Sequence, residues 1–290
     1  MLTCLSPVDI RDPRYSYKKY MLVPCGKCLH CKLNNAKIWS IRIMHELKNW
    51  KSACFVTLTY NDEHLPADGS LDKQDLQKFF KRLRKNLGGR KIKYFACGEY
   101  GENYGRPHYH IILFGVDGIT ELSSIERSWL LGFISCGSVS DSSANYVARY
   151  TVKGGLSDEE CYKRGLQPQF LVMSRRPGIG ANLANCKDYQ TWIANNGFCV
   201  SKGIKYPVPR YYKSKLEPQL LDKLRKKVVE YFCSKTFDKL DLPNKNYHKF
   251  SELETNGHIK VLFPGVSERE REEQLLKNTC AKIAFKKRKL

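Results

Sequence analysis

The chain has 290 residues, with 50 Lys and Arg against 29 Asp and Glu and a formal net charge of +21. That length allows one large domain with an appendage, or two domains, around a sizeable core. The charge favours a polyanionic partner, with nucleic acid ahead of a membrane surface. No stretch holds the ~18 consecutive apolar residues of a membrane span, and the opening Met1-Leu2-Thr3-Cys4-Leu5-Ser6-Pro7 lacks the charged and apolar regions of a signal peptide, so a cytosolic protein with no membrane partner is expected. In that compartment the twelve cysteines read as metal ligands where clustered and as small core residues where scattered.

The first chemical signal in chain order is Pro24-Cys25-Gly26-Lys27-Cys28-Leu29-His30-Cys31, with Cys4 upstream of it. Thiolates at this spacing can wrap a tetrahedral ion, so Cys4, Cys25, Cys28 and Cys31 are candidates for a structural zinc site, with His30 as an alternative fourth ligand. Metal-free thiols and an iron–sulfur cluster are the competing readings, although the proline-followed fourth cysteine of ferredoxins is absent. Ile38, Ile41, Met44, His45 and Leu47 have helical spacing and predict a helix over 34–50, in which His45 is structural.

Ala53 to Tyr60 alternates as a strand, sending Phe55, Thr57 and Thr59 one way and Val56, Leu58 and Tyr60 the other. A helix follows over 72–87. Asp72 and Asp75 favour its start, Leu76, Phe79, Phe80, Leu83 and Leu87 share a face, and Gly88-Gly89 ends it. Lys78, Lys81, Arg82 and Lys85 on its other face are either solvated charges or phosphate contacts. Ile92 to Cys97 predicts a strand, and after it comes Glu99-Tyr-Gly-Glu-Asn-Tyr-Gly-Arg-Pro-His-Tyr-His110, running into the apolar Ile111 to Phe114.

In a strand His108 and His110 share a face, so two imidazoles converge on one point. Glu99 could join them if its strand pairs with theirs, because a glycine-bearing loop of this length permits the return. A helix over 120–131, a strand over 133–139 and a helix over 142–153 complete this part. The order of elements predicts an α+β fold, with helices on an antiparallel sheet rather than a doubly wound parallel one. On the last helix Tyr146 and Tyr150 lie one turn apart with Lys153 beside them. A phenol with a pKa near 10 attacks at neutral pH only with help from a base, a cation or a polarised target.

Beyond Gly154-Gly155 the signals weaken. Ser174 to Gly180 is a basic glycine-containing turn, either a phosphate loop acting through backbone N–H groups or an ordinary loop. Tyr206 to Tyr212 reads as a linker or extended arm, and Leu216, Leu220, Leu224, Val228 and Phe232 describe a further amphipathic helix. Residues 207–290 hold 20 Lys and Arg against 11 Asp and Glu and finish on Lys286-Lys287-Arg288-Lys289, a nonspecific nucleic-acid contact. The resulting division is a Cys-rich element and helix in 1–50, a core in 51–205 and a basic, partly helical region in 206–290.

Thr57-Leu58-Thr59, Pro107-His108-Tyr109-His110 and the Tyr146-to-Lys153 helix resemble the three ordered motifs of the HUH endonucleases. The tyrosines separated by three residues resemble the two-tyrosine replication initiators of small circular single-stranded DNA phages. The Cys-Gly-Lys-Cys run and Ser174 to Gly180 are similar to the initiators of the gokushovirus branch of the Microviridae. The resemblance covers residues 1–210. It implies an HUH endonuclease fold with a ferredoxin/RRM-like core, and Mg2+ or Mn2+ held by His108, His110 and an acid nine residues upstream. That acid is Glu99, with Glu102 as the fallback.

It also implies Tyr146 and Tyr150 as nucleophiles, Lys153 as a charge-stabilising residue, and DNA contacts from Thr57, Thr59, Arg149, Arg175 and Arg176. The implied activity is nicking and rejoining of single-stranded or origin DNA through a 5′-phosphotyrosine in the host bacterial cytoplasm, with a host helicase and DNA polymerase. A relaxase or transposase of the same chemistry and a non-catalytic zinc-stabilised nucleic-acid-binding protein are the alternatives.

Overall fold

A computed structural model describes residues 4–11, 20–101, 105–140, 143, 144, 147, 148, 158–201 and 203–240. The chain divides into two compact units, Met1–Lys227 and Val228–Leu290. The first holds a five-stranded, wholly antiparallel sheet of β3 (Ala53–Tyr60), β4 (Lys93–Tyr100), β5 (Pro107–Phe114), β6 (Gly132–Ser138) and β7 (Phe170–Met173) in the order β6-β3-β5-β4-β7. A hairpin of β1 (Val8–Arg11) and β2 (Tyr20–Val23) precedes it, and a second pair, β8 (Phe198–Ser201) and β9 (Ile204–Pro207), follows. No helix among the described residues is long and apolar enough to cross a membrane.

The alternation in β3 is realised. Cys54, Val56, Leu58 and Tyr60 are buried beneath α2 (Lys73–Asn86), whose Leu76, Phe79, Phe80 and Leu83 form the same core. Asp72 caps α2, its side chain accepting from Gln74 N at 2.6 Å, which satisfies one of the helix's orphan donors. The other face of the sheet carries Phe95, Cys97, Ile112 and Phe114, packed with Ile43, Met44 and Leu47 of α1 (Leu29–Leu47) and with Ala144 and Val147. This is the α+β architecture the element order predicts, a sheet with helices on both faces.

Four local readings change. β4 continues three residues past Cys97 because Gly98, which looks like a break, leaves its Cβ space to Phe170, whose ring atoms lie 3.0 Å from where that carbon would stand. The helix expected over 120–131 is only α3 (Leu122–Glu126). Asp117 Oδ1 accepts from the backbone N–H of Ile119 and Thr120, making a turn before it, and Trp129 leaves the helix to donate its indole N–H to Thr59 O at 3.0 Å.

α1 starts at Leu29, so Cys28 is its cap and Cys31 lies in its first turn. Tyr206 to Tyr212 is neither linker nor arm. It contributes the end of β9 and most of a short helix (Arg210–Lys213), with Val208 and Tyr212 buried. Short elements of this kind carry too little periodicity to be seen in sequence. Of the helix expected over 142–153, residues 143, 144, 147 and 148 are described and helical, while Tyr146, Arg149, Tyr150 and Lys153 lie outside the described residues, as does Glu102.

Candidate metal centre and nucleic-acid surface

Strand register assembles the histidine cluster. β5 pairs with β4 so that Glu99 faces His108 and Cys97 faces His110, and it pairs with β3 so that Thr59 faces His108 and Thr57 faces His110. Glu99 and His108 are therefore neighbours across the sheet although a loop separates them in sequence. Glu99 Oε1 lies 2.8 Å from His108 Nε2 and 2.9 Å from His110 Nε2.

Both rings are held from behind. His108 Nδ1 donates to Arg106 O at 3.0 Å, and His110 Nδ1 is 2.9 Å from the Thr57 hydroxyl. Phe55 stacks on His110 with ring centroids 5.6 Å apart. Glu99 and His110 are buried and His108 is partly so. Burial alone would push the Glu99 carboxyl up, but the hydrogen bonds and charges of His108 and His110 outweigh it and hold it below its ordinary range.

One oxygen and two Nε2 atoms within 4.8 Å of one another can hold a divalent ion. The donor chemistry fits. A carbonyl can only accept, so the Arg106 contact fixes the proton of His108 on Nδ1 and turns Nε2 into the site, the usual way a protein orients ligating imidazoles. A mixed oxygen and imidazole set suits Mg2+, Mn2+ or a later transition metal.

In the same row across the sheet, Thr59 is half-buried and Phe133 of β6, opposite Thr59, is 68% exposed. An exposed aromatic on the histidine face went unremarked in the sequence. Its signal was its position, since an outward-facing Phe one strand beyond Thr59 has no core to enter. Thr57, expected at the DNA, has its hydroxyl on His110. Arg175 and Arg176 are exposed on the turn after β7, at the other end of the sheet.

A second cluster lies at the N-terminus. The sulfurs of Cys4, Cys25, Cys28 and Cys31 all lie within 4.8 Å of one another, with Cys4 Sγ 3.8 Å from Cys28 Sγ. A tetrahedral ion with ~2.3 Å zinc–sulfur bonds needs sulfurs about 3.8 Å apart. Backbone N–H groups already point at the sulfurs, Cys25 N at Cys4 Sγ and Cys28 N at Cys25 Sγ, each 3.3 Å away. Desolvation would raise the Cys28 thiol, yet N–H groups of Cys31 and Leu5 bring it down to about 6, whereas burial pushes Cys31 up to about 12. His30, the alternative ligand, is buried and is not among the clustered donors.

Sheet, helices and donor set together define an α+β protein with a candidate divalent-metal centre on a partly open sheet face. The family model for replication-associated protein ORF2 matches residues 53–155, the segment from β3 into the 143–148 helix. Replication-associated protein ORF2 of Spiroplasma virus 4 is 35% identical over 241 residues, covering 72% of this chain and 73% of that protein. Replication-associated protein VP4 of Bdellovibrio phage phiMH2K is 34% identical over 247 residues, covering 72% and 76%. Replication-associated protein ORF4 of Chlamydia phage 1 is 27% identical over 250 residues, covering 78% and 59%. No solved structure matches the chain. The chain belongs to the Microviridae-type replication-associated proteins of small phages.

Proposed function

We propose that this protein initiates and terminates rolling-circle replication by nicking and rejoining one strand of the phage origin. The observation that carries the reading is the convergence of Glu99, His108 and His110 on one sheet face, in a chain whose relatives are replication-associated proteins. When bound there, Mg2+ or Mn2+ would withdraw charge from a scissile phosphate and stabilise a departing 3′ oxygen.

In this reading the phenol oxygen of Tyr146 or Tyr150 attacks phosphorus and the bond to O3′ breaks, leaving a 5′-phosphotyrosine and a free 3′-OH. Lys153 offsets charge beside the phenols. The 3′-OH primes a host polymerase. After one circuit the second tyrosine cleaves the regenerated origin and the new 3′-OH attacks the old phosphotyrosine, closing the circle. Each step exchanges one phosphoester for another, so no nucleotide triphosphate is consumed, and the sequence holds no Gly-x4-Gly-Lys-Ser/Thr loop.

Unwinding falls to a host helicase. Phe133 offers a ring on which a base next to the scissile phosphate can stack, and Thr59 lies between it and His108. Residues 51–205 form the nicking core, 1–50 a zinc-stabilised element and 206–290 a basic region that adds nonspecific affinity. Ala144 and Val147, packed on the histidine side of the sheet, support a contribution of their helix to the centre.

The test is a denaturing gel of the protein mixed with Mn2+ and labelled origin single strands. A covalent protein–DNA adduct is expected in the wild type and none in Tyr146→Phe/Tyr150→Phe. Cleavage that survives the double substitution rules the tyrosines out. DNA binding without any adduct in any metal leaves the non-catalytic nucleic-acid-binding reading.

A further inference from the structure

A cleft of about 630 Å3 opens at the end of the sheet away from the histidines, and Arg84, Lys91, Tyr94, Ser174, Arg175 and Arg176 are among the residues that line it. No Asp or Glu lines it. Arg84, Lys91, Arg175 and Arg176 are exposed and have no carboxylate partner among the described residues, whereas Lys93, deeper in the wall, is neutralised by Glu46 at 2.8 Å. Four uncompensated cations around one concavity repel each other unless a polyanion enters.

The cleft is also rigidly built. Its arginine turn is followed by Gly178-Ile179-Gly180, whose backbone is gripped from behind. Glu46 Oε2 accepts from Gly180 N at 2.6 Å, Lys93 Nζ donates to Gly178 O at 3.4 Å, and Arg42 donates twice to Ile179 O at 2.9 and 3.1 Å. Gly180 has φ +78, and a Cβ there would meet the Tyr212 hydroxyl at 2.5 Å. The N–H of Gly180 is therefore spent on Glu46, so the turn does not act as a backbone phosphate loop there. It presents Arg175 and Arg176 from a fixed support, which lowers the entropic cost of using them.

We propose that this cleft, walled by Arg84, Lys91, Arg175 and Arg176, is a second nucleic-acid site that grips the phosphate backbone of the DNA flanking the nick. The flank's role rests on the nicking reading above, while the binding itself does not. Its size, within the ~300–1,000 Å3 of ligand clefts, exceeds what a single inorganic phosphate fills. Tyr94 already stacks face to face on Phe80, with centroids 3.7 Å apart. That ring face is closed to a base, and recognition falls on phosphates without regard to sequence.

Tyr94 and Glu99 lie five residues apart on β4 and on opposite faces. The cleft is thus at least ~17 Å from the histidines at ~3.3 Å per residue. That is roughly five base steps of ~3.4 Å, so a flank of that length or longer is needed to occupy both.

The experiment measures fluorescence anisotropy of fluorescein-labelled oligo(dT)30 with the full chain in EDTA, across a range of NaCl concentrations. The charge-neutral variant Arg84→Gln/Lys91→Gln/Arg175→Gln/Arg176→Gln is expected to lose more than tenfold in affinity at low salt, and its log K against log salt slope to flatten by about 2–3, at ~0.7 per phosphate contact for single strands. Arg84→Lys/Arg175→Lys/Arg176→Lys keeps the charge and should keep the slope.

An unchanged slope in the neutral variant overturns the proposal. So does an equal loss in a control with Lys81, Lys163, Arg164 and Lys187 neutralised, or in the lysine variant, and so does displacement of the DNA by polyglutamate at matched charge. Binding is read without metal and the adduct with Mn2+, so the two readings fail separately. A wild type that shows the slope difference but no adduct removes only nicking, and one that forms adducts with no slope difference removes only the cleft.

Discussion

The hydroxyl of Thr57 and the carbonyl of Arg106 lie on the far sides of the two imidazoles and decide which nitrogen of each faces Glu99. Removing such support behind a ligating histidine typically costs about 10–100-fold in metal affinity. Thr57→Val should therefore weaken Mn2+ binding about tenfold or more in an isothermal titration, and Thr57→Ser should not. Undiminished affinity in the valine variant would assign Thr57 a different task.

His45 shows how burial acts away from that centre. It is 1% exposed, 2.9 Å from the Tyr212 hydroxyl, and burial lowers its pKa from 6.5 to about 4. Above pH 6.5 the ring is neutral in both folded and unfolded chains. As the pH falls toward about 4 only the unfolded chain takes up the proton, so stability decreases over that window, by up to about 3 kcal/mol. Urea midpoints at pH 7 and pH 4.5 should fall further apart in the wild type than in His45→Gln; equal shifts would exclude His45 as the source.

Among elements, the N-terminal cysteine turn and the start of α1 are joined through sulfur. Cys28 caps the helix and Cys31 sits in its first turn, so an ion held by the four cysteines would tie β2, the turn and the helix together. For structural zinc the binding energy is folding energy. Metal analysis after mild chelation should find about one zinc per chain. Cys28→Ser should lose it and raise amide exchange in residues 4–31 while exchange in β3 to β5 stays slow. Absence of zinc from the wild type would mean reduced thiols.

β4 and α3 show where periodicity fails as a guide to elements. Gly98 reads as an end and is a strand position emptied for Phe170, and Trp129 reads as helical but turns to reach Thr59 O. In both cases a tertiary partner outweighs local pattern.

Across the whole first unit, Glu46 is the junction of several segments. Its carboxylate, fully buried, accepts from Lys93 of β4, from Trp50 Nε1 at 2.8 Å and from Gly180 N. Buried pairs are costly to desolvate, and removing one partner strands the other. Glu46→Met or Lys93→Met alone should destabilise by about 3–5 kcal/mol, and the double Met variant by clearly less than the sum of the two. Denaturant unfolding of all four proteins measures it, and additive losses would show that the pair is not a unit. Because Glu46 also fixes the arginine turn, the singles should weaken oligo(dT)30 binding as well.

Several features were legible from residues alone. The period-two pattern of β3 and β5, the amphipathic pattern and cap of α2, and the spacing of Cys25, Cys28 and Cys31 are local, and local sterics and hydrogen bonding decide them. The His-Tyr-His spacing fixed that two imidazoles share a face, since side chains in a strand alternate. What stands across from them is not local. The pairing of Glu99 with His108, the Thr57 hydroxyl behind His110, the aromatic Phe133 in the same row and the cationic cleft of Arg84 with Arg175 all depend on strand order and register. These are set by which hydrophobic faces bury together across the chain, information that no window of sequence contains.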